Sequence, residues 1–389
     1  MTHHPSRKGR NAPATRSLAP PIYPATVYCC DSPQQASDLL AGNIDGFVYS
    51  RDGHPNSDML ADRCAEMHHA EHAAITGSGM AALSLAIVAN LKQGDHVVVS
   101  HQLYGRSLAL FTSEIARMGI ESTQVDTQDL DAVQKSMKSA TRMLITETIS
   151  NPMLHVADLS SLSEIVHKHQ ALLLVDNTLA SPALCRPLQL GADLVVESMT
   201  KIMNGHSDVI LGCLCGMSRS WDRVALAAST WGLFASPMDC WLAMRGMATL
   251  DLRMERATVT AHLLAEQLVG NRAIAALHYP GLPDRADHKV ATRQLATGTG
   301  NLGFGNMLTI ELTGGLKAAE HFIQAVADDI PFCPSLGELT TTLSHPKSTS
   351  HRDMSAEELR AVGITDGTIR LSIGIEPVDV ISAALRRGL

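Results

Sequence analysis

Between about residue 58 and residue 216 the chain alternates helical patterns with short apolar runs rich in β-branched residues. The runs are His96-Val-Val-Val-Ser100, Arg142-Met-Leu-Ile-Thr146, Ala171-Leu-Leu-Leu-Val-Asp176, Leu194-Val-Val196 and Val209-Ile-Leu-Gly-Cys-Leu214. Such alternation predicts an α/β fold: a mostly parallel sheet with helices on both faces. Beyond Pro237 the pattern changes. A long helical stretch from Asp239 to about Val269 leads into turn-rich loops, Pro280-Gly-Leu-Pro283 and Gly298 to Gly305, with fewer and shorter strands, and predicts a smaller α+β domain. Residues 1–45 are rich in Pro, Ser, Ala and Thr without a period, and read as an arm that orders only by packing on something else, with a partner subunit as the natural support. The predicted division is an arm over 1–45, a larger domain over 46–245 and a C-terminal domain over 246–389.

Composition narrows the function. With 389 residues, 45% of them apolar, the chain can bury an active site. The net charge of −8 is spread among interspersed acidic and basic residues, which suggests neither a nucleic-acid footprint nor a basic membrane face. Eight scattered cysteines fit a reducing cytoplasm better than a disulfide framework. The polar start of the chain lacks an apolar signal core, and no run of 18 apolar residues predicts a membrane span.

In sheets of this kind ligands bind beyond the carboxyl ends of the strands, where Ser100, Asp176 and Ser198 to Lys201 fall. The run Asp193-Leu-Val-Val-Glu-Ser198-Met-Thr200-Lys201 delivers two hydroxyls and an amine to one point, and 25 positions upstream a second apolar run ends in Asp176. An amine and a buried carboxylate so placed are what pyridoxal phosphate (PLP) needs: a point of covalent attachment, and an anion that keeps the pyridine nitrogen protonated. Thr76-Gly77-Ser78-Gly79-Met80 follows a short apolar run and opens a helix, so its glycines permit close backbone approach while the helix start presents free N–H groups to a phosphate. Such a turn by itself more often serves tight geometry than anions. Together with the lysine segment it reads as a phosphate cradle, with Ser198 and Thr200 reaching the same group.

From Asp176-Asn-Thr-Leu-Ala-Ser-Pro through Ser198-Met-Thr-Lys-Ile-Met-Asn-Gly205-His-Ser-Asp208, the sequence resembles the Cys/Met-metabolism PLP enzymes, a family of cystathionine γ-synthases, cystathionine γ- and β-lyases, methionine γ-lyases and homoserine sulfhydrylases. Further matching blocks run along most of the chain, among them Tyr49-Ser-Arg51, Ser78-Gly-Met80, Leu103-Tyr104-Gly105, Asn151-Pro152, Ser335-Leu-Gly337 and Ile369-Arg370-Leu-Ser372. The resemblance implies the type I, aspartate-aminotransferase-like PLP fold, and a γ-elimination or γ-replacement on a sulfur-containing or homoserine-derived amino acid. It implies that Lys201 holds PLP, that Asp176 pairs with its ring nitrogen, and that Gly79, Met80, Ser198 and Thr200 bind its phosphate. Tyr49 and Arg51 would reach that phosphate from a neighbouring subunit, in a dimer that shares its sites or a tetramer of two such dimers. Tyr104 would stack on the ring and shuttle protons, while Arg370 and Asn151 would clamp the substrate α-carboxylate.

The pattern departs from its relatives where substrate is chosen. The common Tyr-Gly-Gly is Tyr104-Gly105-Arg106, and a guanidinium there would favour substrates with an anionic or strongly polar distal group or lower the Tyr104 pKa, the contrasting reading being an outward-facing surface arginine. Positions where cystathionine enzymes often carry charge correspond to Val48, Ala109 and Thr340, which leaves methionine-like or other homoserine-derived substrates open. A non-catalytic scaffold is the contrasting reading, and intact Lys201, Asp176, Tyr104 and Arg370 argue against it. Three other motifs are read as structural. Gly298-Thr-Gly300-Asn-Leu-Gly303 has dinucleotide spacing in the wrong context, since it follows a helical stretch and leads into a strand. His68, His69 and His72 lack a further ligand, so no metal is expected. Cys213 and Cys215 lie inside an apolar run and read as core.

Overall fold

The computed structural model describes residues 17–389, so the first part of the predicted arm, residues 1–16, lies outside the described residues. Seven strands, β1 (His72–Thr76), β2 (His96–Ser100), β3 (Glu121–Val125), β4 (Thr141–Glu147), β5 (Leu172–Asp176), β6 (Leu194–Ser198) and β7 (Gly212–Gly216), form one sheet in the order β1-β7-β6-β5-β4-β2-β3. Strands β2 to β6 pair in parallel, while β7 runs antiparallel to both β6 and β1. The reversal has a plain cause. The β6–β7 connection carries Lys201 and contains no crossover helix of the kind a parallel return requires.

Successive residues of each strand enter opposite cores. Val97 and Val99 of β2, Met143 and Ile145 of β4, and Leu194 and Val196 of β6 pack on one face, whereas Val98, Leu144 and Val195 pack on the other. This period of two, with both faces covered, explains why the strands read as continuous apolar runs. The helix Gly79–Asn90 is apolar almost all round and buries Ala82, Leu83, Leu85 and Ala86 against the sheet.

A second, antiparallel sheet has the order β10-β11-β9-β8, built from β8 (Ile274–His278), β9 (Met307–Leu312), β10 (Thr342–Ser344) and β11 (Thr368–Ser372). Arg370, in the middle of β11, is flanked by Thr309 and Ser344. The Thr309 hydroxyl donates to the carbonyl of Pro152 (2.6 Å), tying this sheet to the loop after β4.

Three expectations need correction. The long helical stretch is two helices, Pro237–Met247 and Leu250–Leu268. The break lets buried Arg253 fold back on the Gly246 carbonyl (3.1 Å) and on those of Ile202 (2.8 Å) and Met203 (2.9 Å), next to the lysine segment. The strand expected from Val209 begins only at Gly212. The described part of the arm is neither uniformly extended nor dependent on a partner for all its order. Pro33–Leu40 is a helix capped by Ser32, and residues 20–23 are held by the same chain. There Trp241 Nε1 donates to the Pro20 carbonyl (2.8 Å), and Asn56 bonds the Pro21 carbonyl and the Tyr23 N–H.

Candidate active site

The carboxyl ends of β4, β5 and β6 place Glu147, Asp176 and Ser198 side by side, with Glu147 and Asp176 in direct register. They line a cavity of about 490 Å³ that also takes in Gly79, Met80, Tyr104, Asn151, Thr200, Lys201 and Arg370. Nine of the twelve residues singled out by sequence, Asp176 and Ser198 together with these seven, therefore meet in one place, and Tyr49, Arg51 and Arg106 are absent from the lining.

One end is an anion cradle. Ser78 caps the helix Gly79–Asn90, its Oγ accepting from Ala81 N (3.1 Å), while the N–H groups of Gly79 and Met80, residues of the cavity lining, have no acceptor among the described residues. Gly79 has to be glycine: a Cβ there would lie 2.8 Å from Cβ of Ser198. Gly212 is equally constrained, since its Cβ would meet the Ser78 carbonyl oxygen at 2.1 Å. These close approaches bring the helix start down onto the end of β6, where the Ser198 hydroxyl makes no hydrogen bond among the described residues. The Thr200 hydroxyl is engaged with the backbone of Leu211, accepting from its N–H (3.1 Å) and lying 3.2 Å from its carbonyl.

At the other end Asp176 Oδ1 accepts from the Thr178 N–H (3.0 Å) and hydroxyl (2.6 Å), which leaves Oδ2 for a cationic N–H. The Thr178 hydroxyl also accepts from Ser198 N (2.9 Å), so a single side chain joins the carboxylate end to the cradle end. Burial raises the pKa of Asp176, and it raises that of Glu147 well above the ordinary range, with the charge of Asp176 adding to the effect. Asp176 has the hydroxyl donor, so it is the more readily ionised of the two, and Glu147 is the more strongly shifted toward the neutral acid. Glu147 in turn holds two neighbours by their backbones: Oε1 accepts from Tyr104 N (2.8 Å) and Oε2 from Asn151 N (3.2 Å).

Between the two ends stands Lys201, whose Nζ donates to Ser335 Oγ (2.8 Å). Burial lowers its pKa, and the nearby guanidinium of Arg370 lowers it further, which favours the neutral, nucleophilic amine. Arg370 is buried, and burial pulls its pKa down to about 10. Its Nη1 donates to Asn151 Oδ1 (2.7 Å) and its Nη2 to the Ser335 carbonyl (2.8 Å), while Nε has no partner. A buried guanidinium with an unspent donor is suited to a carboxylate brought by a ligand. Beside it His351 is held neutral, its pKa lowered to about 4 by burial and by Arg370.

Three residues predicted for the site stand outside the cavity of their own chain. Tyr49 and Arg51 are exposed, the guanidinium lying 5.3 Å from the centre of the tyrosine ring. Arg106 is exposed and pairs with Asp353, its Nη2 3.3 Å from Oδ2; the short helix Gly105–Ala109 turns it away from the cavity, and Arg352 lines the wall instead. Sequence reasoning missed Ser335, Thr178, His351 and the structural task of Glu147. Only Glu147 had a usable signal, a carboxylate closing an apolar strand next to the one that ends in Asp176.

The motifs read as structural resolve individually. His68 is buried against Glu197 of β6 (3.4 Å), His69 bonds Gln189 (2.8 Å) and His72 bonds Ser218 (3.1 Å), so the three imidazoles diverge. Burial brings the pKa of His68 down to about 3 and pushes that of Glu197 well up, and Asn177 Nδ2 donates to Glu197 Oε1 (2.9 Å). Cys213 and Cys215 are fully buried in β7.

The residues present fit PLP: an anion cradle that a Cβ would fill, a carboxylate with one oxygen spare, and a buried amine between them. Comparison with known proteins agrees. The sequence profile described as Cys/Met metabolism PLP-dependent enzyme matches residues 2–389. An L-methionine γ-lyase of Fusobacterium nucleatum is 38% identical over 96% of this chain and 93% of its own length. An O-succinylhomoserine sulfhydrylase of Pseudomonas aeruginosa is 34% identical over 95% of this chain and 90% of its own. The crystal structure of a cystathionine γ-synthase from Xanthomonas oryzae in complex with cystathionine superposes with a TM-score of 0.90, at 35% identity, covering 97% of this chain and 94% of that one.

Proposed function

Since the chain belongs to the Cys/Met-metabolism PLP-dependent enzymes and works with that cofactor in trans-sulfuration chemistry, we propose that it eliminates or replaces the γ-substituent of an L-amino acid. The observation that carries this reading is the convergence of Lys201, Arg370 and Tyr104 on one cavity. Bound there, PLP supplies an electron sink for negative charge developing at the substrate Cα.

The chain's own residues supply the rest. Lys201 would hold the cofactor and would take the substrate Cα proton; burial and the Arg370 guanidinium lower its pKa, which favours the proton-accepting amine. Asp176 pairs with the ring nitrogen, and Gly79, Met80, Ser198 and Thr200 hold the phosphate. Arg370 fixes the α-carboxylate, with Asn151 orienting the guanidinium. Tyr104, part-exposed at the cavity wall, moves the proton at the departing group.

The working unit on this reading is a dimer, in which Tyr49 and Arg51 complete the phosphate site of the neighbouring subunit, and two dimers form a tetramer. Support comes from the exposed apolar side chains of Ile210 and Phe234 beside the cradle: Ile210 lines the cavity, and Gly77 packs on the Phe234 carbonyl. We also assign the larger domain to residues 46–245 and the C-terminal domain to 246–389, and place the enzyme in the cytoplasm. The described residues include no helix long and apolar enough to cross a membrane.

The test is a substrate panel with purified holoenzyme: L-methionine, L-cystathionine, and O-acetyl- and O-succinyl-L-homoserine, each with and without cysteine, scored for 2-oxobutyrate, pyruvate, ammonia and new thioether. Release of 2-oxobutyrate, or cysteine-dependent thioether formation, with both lost in Lys201→Ala, is the expected result. No γ-product from any of the four would end the proposal.

A further inference from the structure

Five charged side chains line the cavity, and four of them, Glu147, Asp176, Lys201 and Arg370, already have tasks. The fifth is Arg352. It belongs to the wall formed by residues 348–352, directly after His351. The two neighbours face different ways: His351 is buried beside Arg370, whereas the Arg352 side chain is 62% exposed and stands at the mouth.

The guanidinium of Arg352 makes no hydrogen bond among the described residues. Its nearest polar contact is Asp353, with Nε 3.5 Å from Oδ1. The other oxygen of that carboxylate lies 3.3 Å from Arg106 Nη2. Two guanidinium groups therefore share one carboxylate at the rim, leaving a net charge of +1, and both terminal nitrogens of Arg352 are unspent. The Tyr104 segment adjoins this wall, because Gly105 packs on the Ser350 carbonyl so closely that a Cβ would lie 3.1 Å from its oxygen. On the functional reading above, a substrate clamped by Arg370 with its γ-substituent at Tyr104 would extend its tail toward Arg352, which lines the same cavity.

We propose that Arg352 is a specificity-determining residue that receives a carboxylate at the distal end of the γ-substituent, so that the enzyme prefers substrates with anionic tails over neutral ones. Arg106 strengthens it indirectly by drawing Asp353 away. The inference rests on the γ-substituted amino-acid reading above and gives it a substrate class. A planar guanidinium with two free N–H₂ groups matches a carboxylate in a bidentate pair. One such charge-assisted contact in a part-exposed site corresponds to about a tenfold preference. Arg106, expected from sequence to face the substrate itself, acts on this account through Asp353.

The experiment compares O-succinyl- and O-acetyl-L-homoserine, which break the same C–O bond and differ in the distal carboxylate, using holoenzyme and the variants Arg352→Gln, Arg352→Lys, Arg106→Ala and Arg106→Ala/Asp353→Asn. Arg352→Gln should lower kcat/KM for the succinyl ester about tenfold more than for the acetyl ester, mainly through KM, and Arg352→Lys should recover part of the difference. Arg106→Ala should shift the succinyl-to-acetyl ratio in the same direction by less, and the added Asp353→Asn should restore it. Competitive inhibition by L-2-aminoadipate against L-norleucine, which involves no leaving group, should follow the same order. A ratio indifferent to Arg352→Gln overturns the inference alone, provided that the wild type forms γ-products from either ester. A wild type that forms none from the whole panel overturns the functional reading, and the inference with it.

Discussion

Glu147→Gln separates a protonated carboxyl from an ionised one by an effect on stability that changes with pH. In the native chain the two carboxyl oxygens accept the Tyr104 and Asn151 N–H groups, at 2.8 and 3.2 Å, in a buried position next to Asp176. A glutamine keeps one acceptor oxygen but turns an N–H₂ toward the second N–H, a donor facing a donor, which costs about 1–3 kcal/mol where the acid is neutral in both folded and unfolded chains. The acid adds a pH-dependent part. Its folded pKa is raised above the unfolded value by burial and by Asp176, so between the two values the native state binds more protons than the unfolded chain. The contribution of Glu147 to wild-type stability must fall with rising pH across that window, by up to about 1.4 kcal/mol per pH unit, whereas glutamine does not titrate. The stability gap between wild type and variant should therefore be widest near pH 5 and narrow toward pH 8. Urea unfolding of both holoenzymes at fixed protein concentration measures it, the concentration being held because subunit dissociation contributes to the midpoint. A gap that stays constant or widens with pH would show a native, stabilised Glu147 carboxylate and refute the reasoning.

Other outcomes follow from distances at the site. Gly79→Ala puts a methyl group 2.8 Å from Ser198 Cβ and should weaken PLP retention at least about tenfold, read by titrating apoenzyme with cofactor; undiminished affinity would mean the cradle is elsewhere. Arg370→Leu removes the carboxylate clamp and should lower kcat/KM by about 10²–10³. It also removes a positive charge that depresses the Lys201 pKa, so the pH limb of kcat/KM governed by that amine should move to higher pH; an unmoved limb would assign it to another group. Inactive Lys201→Ala and Arg51→Ala chains, mixed under conditions of proven subunit exchange, should recover up to about a quarter of wild-type activity through hybrid dimers with one intact site. No recovery would count against a phosphate site shared between subunits.

Much of the site was legible because it lies where strand periodicity ends. Asp176 and Ser198 close apolar runs whose burial on both faces follows from their composition, and Lys201 comes three residues later on a turn that glycine-rich packing keeps short. Tertiary contact decided the rest. Nothing in the order of residues shows that the turn after Tyr104 sends Arg106 to Asp353, or that the wall of the cavity is completed from residues 348–352, some 240 positions further along. The hydroxyl beside Lys201 likewise comes from Ser335, across the interval between the two sheets. The broken helix at residues 248–249 was hidden for a related reason: its local pattern is continuous, and the interruption serves a buried Arg253 that bonds carbonyls some 50 residues upstream.

The buried His68–Glu197 pair constrains how this lineage can drift. Replacing the carboxyl alone leaves an imidazole in a dry interior without its nearby acid, and replacing the imidazole alone leaves a carboxyl whose remaining side-chain hydrogen-bond partner among the described residues is Asn177. His68 Nδ1 and Nε2 and Glu197 Oε2 have no hydrogen-bond partner among the described residues, so either single change removes the nearest counter-group of a buried polar side chain, at a cost of about 1–3 kcal/mol, a large share of a typical folding free energy. Exchange of both for apolar residues of similar volume strands nothing and can be neutral. The two positions, one ending a helix and the other within β6 under the cofactor site, thus form a single heritable unit across a valley of less stable intermediates, and descendants of this sequence should differ at both or at neither.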